Sequence, residues 1–176
     1  MILKDLDEEK LKLILKTSEG FPTQYGPSQA RIVDGLISPS RSGHSLGRHI
    51  RGAQRTLGKT KFCSLDDMAK ALAQVLKTPE GILALQQLQP GNRSTFRSYI
   101  KTGFPVEGEV DLNPPQKITF TRLDLETAGF NRTRCFVILE GRSRGSEAYL
   151  HVQTFYPEFN PDEITRLLDA KTRYWR

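Results

Sequence analysis

The sequence is poor in cysteine: two residues, Cys63 and Cys135, in 176. Two thiols cannot build a disulfide scaffold or a thiolate zinc site. Both are expected to be small buried hydrophobes, with a single disulfide as the alternative. Long apolar runs are missing too. The longest stretches span four residues, such as Phe136-Val137-Ile138-Leu139, far short of a membrane crossing. The first ten residues turn acidic where the apolar core of a secretory signal would sit, so no classical signal peptide is expected. Moderate Pro, Gly and net charge exclude collagen, a coiled-coil rod and wholesale disorder. There is no Walker loop, Gly-rich dinucleotide turn, internal repeat or low-complexity tract.

The most informative absence is local. From Gly35 to Ser64 there is no Asp or Glu, while Arg41, Arg48, Arg51, Arg55, Lys59 and Lys61 all fall there. Those six charges equal the net +6 of the whole chain. Such a block attracts a polyanion through counterion release and steering, which makes Arg48, Arg51 and Lys59 candidate contacts to a polyanion backbone. A solvated basic face is the plain alternative. His44 and His49 lie inside the block, which a solvated face does not require.

Periodicity divides the chain. Asp5 or Asp7 can cap a helix with the stripe Leu11, Ile14 and Leu15, ending near Gly20. Turn residues from Gly20 to Pro27, a short helical stretch from Ala30 to Leu36 and a Ser/Pro/Gly linker over 38–43 follow. Residues 1–42 are therefore expected to form a helical appendage, and 43–176 the main domain. In that domain Ser64 with Asp67 resembles a capping box before a helix over Leu65–Leu76, and Thr78-Pro79 opens the next. Beyond Gly91 the period becomes alternating. Strands are expected over 117–123, 134–140 and 147–156, with 141–146 as a hairpin loop. Asn160-Pro161 caps a final helix that turns Ile164, Leu167 and Leu168 inward. Helices first and an antiparallel β-sheet afterwards is the α+β pattern.

Were Gly43–Gly52 a helix, His44 and Arg48 would share a face and His49 would point about 140° away, so one histidine alone could face a given cleft. In the last strand, Thr154 and Tyr156 are expected to share a face with the core residues Leu150 and Val152. His151, on the opposite parity, is expected to be solvent-facing or structural. Two histidines without nearby Asp, Glu or Cys do not form a metal site, and no cofactor is expected. Together the residues suit RNA cleavage without a metal. Histidine titrates near working pH and moves protons. Arginine stays charged against a phosphorane, and Thr and Tyr hydroxyls hold phosphate oxygens or relay a proton.

Four segments occur in the order seen in one family: His44-Ser-Leu-Gly-Arg48-His49-Ile50, Lys61-Phe-Cys-Ser-Leu-Asp-Asp-Met-Ala69, Arg134-Cys-Phe-Val-Ile-Leu139 and Gln153-Thr-Phe-Tyr-Pro157. From about Gly43 to Pro157 the chain resembles the RNase A-like toxin domains at the C-termini of bacterial contact-dependent growth-inhibition proteins. The resemblance implies a kidney-shaped, RNase A-like (BECR-like) α+β fold and a metal-independent endoribonuclease; a monomer is expected. It further implies a toxin delivered into the target-cell cytoplasm, with no membrane association, and a cognate immunity protein that blocks its cleft. The family's active-site pattern is a histidine, a downstream arginine, and the Thr and Tyr of the final strand. Thr154 and Tyr156 fall on it. His49 matches the histidine best, and His44 also sits on a recurring position. Arg55 is the candidate arginine, with Lys59 as its substitute. The other reading is a catalytically inactive RNA- or protein-binding module of the same fold.

Overall fold

The computed structural model describes residues 6–20, 23, 42–51, 60–101, 103–110 and 112–174. The helical stretch expected over 30–36 lies outside them. Six helices and six strands are seen among the described residues. In chain order they are α1 (Glu8–Ser18), α2 (Ser45–Arg48), β1 (Lys61–Phe62), α3 (Leu65–Leu76), α4 (Pro79–Gln87), β2 (Arg93–Lys101), β3 (Val106–Val110), β4 (Gln116–Phe120), α5 (Arg122–Thr127), β5 (Arg132–Arg144), β6 (Glu147–Pro157) and α6 (Pro161–Tyr174). The strands form two three-stranded antiparallel sheets, β1-β3-β4 and β2-β5-β6. The class is α+β.

Local chemistry sets most boundaries. Asp7, Ser64 and Thr78 each accept the backbone N–H three residues on, which starts α1, α3 and α4. Asn160 and Glu163 exchange side-chain-to-backbone hydrogen bonds at the start of α6. The strand expected over 117–123 ends at Phe120, because Thr121 and Asp124 form a reciprocal capping box that begins α5. The expected hairpin loop shrinks to a turn between Arg144 and Glu147, with Gly145 at φ 61°. Both cysteines are free. Cys135 is buried as expected, whereas Cys63 is only half-buried and receives a hydrogen bond from Arg51.

Two hydrophobic cores result. The smaller joins Val106, Val110, Phe120, Leu125, Phe130, Ile164 and Leu167 beneath α5 and α6. The larger lies between α1, α3 and the β2-β5-β6 sheet. Leu11, Ile14 and Leu15 of α1 are fully buried in it, beside Met68, Leu72, Val137, Val152 and Phe155. A boundary at residue 42 therefore divides the chain without dividing this core: an amphipathic stripe is stable only when something covers it, and here the main sheet does.

The other face of the β2-β5-β6 sheet decides the site. A β-bulge interrupts β5–β6 pairing between Ile138 and Leu139: Leu139 opposes Val152, but Ile138 opposes Thr154, leaving Gln153 as the extra residue. Partners opposite one another share a face. Leu150 and Val152 thus face the core, while Thr154 and Tyr156 pair with Ile138 and Phe136 on the reverse face. Simple alternation placed all four residues together; the inserted residue inverts the parity. The same register puts His151, opposite Glu140, on the face of Thr154 and Tyr156. Nor is His151 solvent-facing. It is fully buried, and its Nε2 hydrogen-bonds Gln153 at 2.9 Å.

Candidate active site

The two histidines flank a single turn. α2 covers only Ser45–Arg48, and His44 and His49 are its N- and C-caps, with φ/ψ of −137/19 and −117/19. Because neither cap has helical geometry, the 140° divergence expected for a continuous helix does not arise. Their ring centroids lie 5.5 Å apart.

This turn is held by the segment after α1. The Glu19 carboxylate accepts the N–H groups of Leu46 (2.6 Å) and Gly47 (2.9 Å), satisfying donors that a helix start leaves open. Gly43 donates to the Ser18 carbonyl, and Gly20 donates back to the Gly43 carbonyl. β6 is a sheet edge, and at the bulge its backbone joins the same arrangement. Val152 donates to Ser18 Oγ, and His44 donates to the Gln153 carbonyl at 2.9 Å. A Cβ on Gly43 would lie 2.5 Å from the Val152 oxygen and 2.9 Å from that of Ser18, so only glycine lets the three backbones meet.

His49 then lies on the final strand. Its ring stacks on Tyr156 with centroids 4.2 Å apart and planes 22° from parallel. Across the sheet Phe136 follows at 5.3 Å from Tyr156, and the Arg97 guanidinium sits 4.8 Å over Phe136. Beside Tyr156, Thr154 is buried, and its Oγ1 has no hydrogen-bond partner among the described residues. Of the expected site residues, His44, His49, Thr154 and Tyr156 are thus brought together. Arg55 and Lys59 lie outside the described residues. Arg48 is half-buried on α2, and Arg51 turns to the other sheet, where Nη2 donates to Thr119 Oγ1 and to Cys63 Sγ and Nε lies 3.6 Å from Glu107.

The residues that sequence reading missed lie on β2 and β5. Arg93, Arg97 and Tyr99 share the face of Tyr156, together with Arg134, Glu140 and Arg142. Alternation from Arg93 to Ile100, with small or apolar residues at 94, 96, 98 and 100, was the available signal. Each of the four arginines meets a carboxylate. Arg97 holds Glu158 bidentately, Arg134 bridges Glu158 and Glu163, and Arg93 and Arg142 hold Glu140. Hydrogen bonding from Arg97 keeps the Glu158 carboxyl below its usual range. Burial, and then the Glu158 charge, push the Tyr156 phenol up, so it remains an O–H donor at neutral pH. Burial pushes His151 down to about 4, which keeps that imidazole neutral.

Among the described residues no three His, Cys, Asp or Glu side chains cluster so as to hold a metal ion, and no helix is long and apolar enough to cross a membrane. No family model, curated protein or solved structure matches the chain.

Proposed function

We propose that the protein is a metal-independent endoribonuclease of the toxin type, cleaving RNA by attack of the 2′-hydroxyl to leave a 2′,3′-cyclic phosphate. The observation that carries this reading is the stack of His49 on Tyr156 beside the Thr154 hydroxyl, which has no hydrogen-bond partner among the described residues. A buried hydroxyl without a partner costs roughly 1–3 kcal/mol, and a phosphate oxygen would supply the missing partner.

The chemistry follows from the groups present. One base removes the 2′-hydroxyl proton while that oxygen attacks phosphorus, and one acid protonates the departing 5′-oxygen. His49 fits either step by kind, because an imidazole carries one ring nitrogen that accepts a proton and another that donates one. Tyr156, held protonated, fits the acid step, and His44 lies within reach as the second imidazole. Thr154 orients the phosphate. Arg55 is the cation assigned to the phosphorane, and Arg48 and Lys59 to the RNA backbone. A delivered toxin of this kind would act in the target-cell cytoplasm and be blocked by an immunity protein covering the same face.

The test is incubation of purified protein with total RNA in EDTA, followed by mapping of the new ends. Cleavage with cyclic-phosphate termini is expected, and His49→Ala or Tyr156→Phe should lower it by about a hundredfold or more while the circular dichroism spectrum is kept. Full cleavage by both variants would remove the assignment. A second reading, a binding module without turnover, draws on burial: His49 and Thr154 are each only 2% exposed. It predicts a gel shift with intact RNA.

A further inference from the structure

Resting on the RNA-cleavage reading, we propose that Tyr99 and Arg132 form a stacking subsite for a base of single-stranded RNA, away from the reacting phosphate. Tyr99 is 50% exposed, the one aromatic among the large hydrophobic side chains that the described residues leave exposed. It stands on the face that carries Tyr156, one residue pair further along the sheet: Arg97, Phe136 and Tyr156 align across the three strands, and Tyr99 opposite Arg134 comes next. From strand spacing and rise, Tyr99 is about 12 Å from Tyr156.

Its surroundings resemble a platform more than a packed corner. The Arg132 guanidinium lies over the ring, 5.1 Å from its centroid. Arg132 is itself exposed, and no carboxylate reaches it among the described residues, unlike Arg93, Arg97, Arg134 and Arg142 on the same face. Arg134, opposite Tyr99 in the strand register, is fixed by Glu158 and Glu163, so the ring stands beside an ordered neighbour. A half-exposed ring with one face under a guanidinium that no carboxylate neutralises among the described residues matches what unpaired RNA requires: a remaining π-face for a base and a cation for the adjoining phosphate. Stacking of this kind accepts any base, so the subsite would bind the strand with little sequence preference. A purely structural role for Tyr99, shielding a sheet edge, predicts no effect on RNA.

The probe is a fluorescent hexanucleotide carrying 2′-O-methyl groups, which cannot be cleaved by 2′-hydroxyl attack. Its affinity is read by anisotropy at fixed salt, with intact bases and with one base at a time removed. Tyr99→Ala is expected to weaken binding about tenfold, and Tyr99→Trp to retain it. Removing one particular base should weaken binding to the unaltered protein and leave Tyr99→Ala unaffected, because the two changes delete the same contact. Arg132→Ala should weaken binding and flatten the salt dependence by about one charge. Equal affinity of Tyr99→Ala and the unaltered protein, or the same base-removal profile in both, overturns the subsite. Unmodified RNA, incubated in parallel, reports on the nuclease reading by itself, since its survival says nothing against binding of the methylated strand.

Discussion

The two faces of the β2-β5-β6 sheet are built from neighbouring residues and obey different rules. On one, Ile100, Val137, Leu139, Val152 and Phe155 are almost wholly removed from water under α1 and α3. On the other, Arg97, Phe136, Tyr156 and His49 form a line of cation and rings, with paired charges around it. Packing holds the first face, and it should tolerate apolar exchange of equal volume. The second keeps polar groups buried, an imidazole and a hydroxyl with no partner among the described residues included, at a cost in stability.

Four substitutions would break or sharpen this contrast. Phe155→Ala, on the packed face, should cost about 3–5 kcal/mol in urea unfolding, since the fully buried ring leaves a cavity against Phe62. A loss below about 1 kcal/mol would show that the packed face does not carry the fold. His151 comes next. Its imidazole is held neutral in the folded protein down to about pH 4, whereas the unfolded chain takes up the proton near pH 6.5. The unfolded state binds more protons between those values, so stability is full above pH 6.5 and falls as the pH drops towards 4, by about 3 kcal/mol. His151→Gln should flatten that pH dependence in unfolding curves at pH 7, 5.5 and 4.5; an unchanged slope would place its origin elsewhere.

Gly43→Ala acts on the junction between the faces. Its new methyl group must displace the Val152 and Ser18 carbonyls, so about 1–3 kcal/mol should be lost, and the His49–Tyr156 stack should loosen. Cleavage should then fall more steeply than the melting temperature alone accounts for; equal melting and equal cleavage would show that the backbone approach is dispensable. Thr154→Val should have the smallest effect on the fold, a gain of about 1 kcal/mol, because it replaces a buried hydroxyl that has no partner among the described residues by a methyl of similar shape. RNA cleavage should nonetheless drop at least tenfold. Loss of stability without loss of cleavage would reverse the proposed meaning of that hydroxyl.

Much of this was legible in the residues. Ser64, Thr78-Pro79 and Asn160-Pro161 mark helix starts through side-chain acceptors and a missing N–H, which are local effects. The histidine turn and the Thr-x-Tyr segment stood out by residue type. What escaped was non-local. β2 and β3 were not anticipated, because Arg and Ser alternating with Phe and Ile in the first, and two Val around Glu-Gly-Glu in the second, give a weak apolar signal. α1 read as an appendage because its stripe names no partner, yet Glu19 just beyond it fastens the histidine turn.

Composition and periodicity by themselves determined the α+β class, the helix caps and the small set of side chains able to move protons. Which of those side chains meet was decided in three dimensions. One additional residue in β6, Gln153, reverses which face Thr154 and Tyr156 occupy, and strand pairing is chosen by contacts far apart along the chain. Hydrogen-bond caps act within a few residues, whereas a register exists only once two strands have found each other.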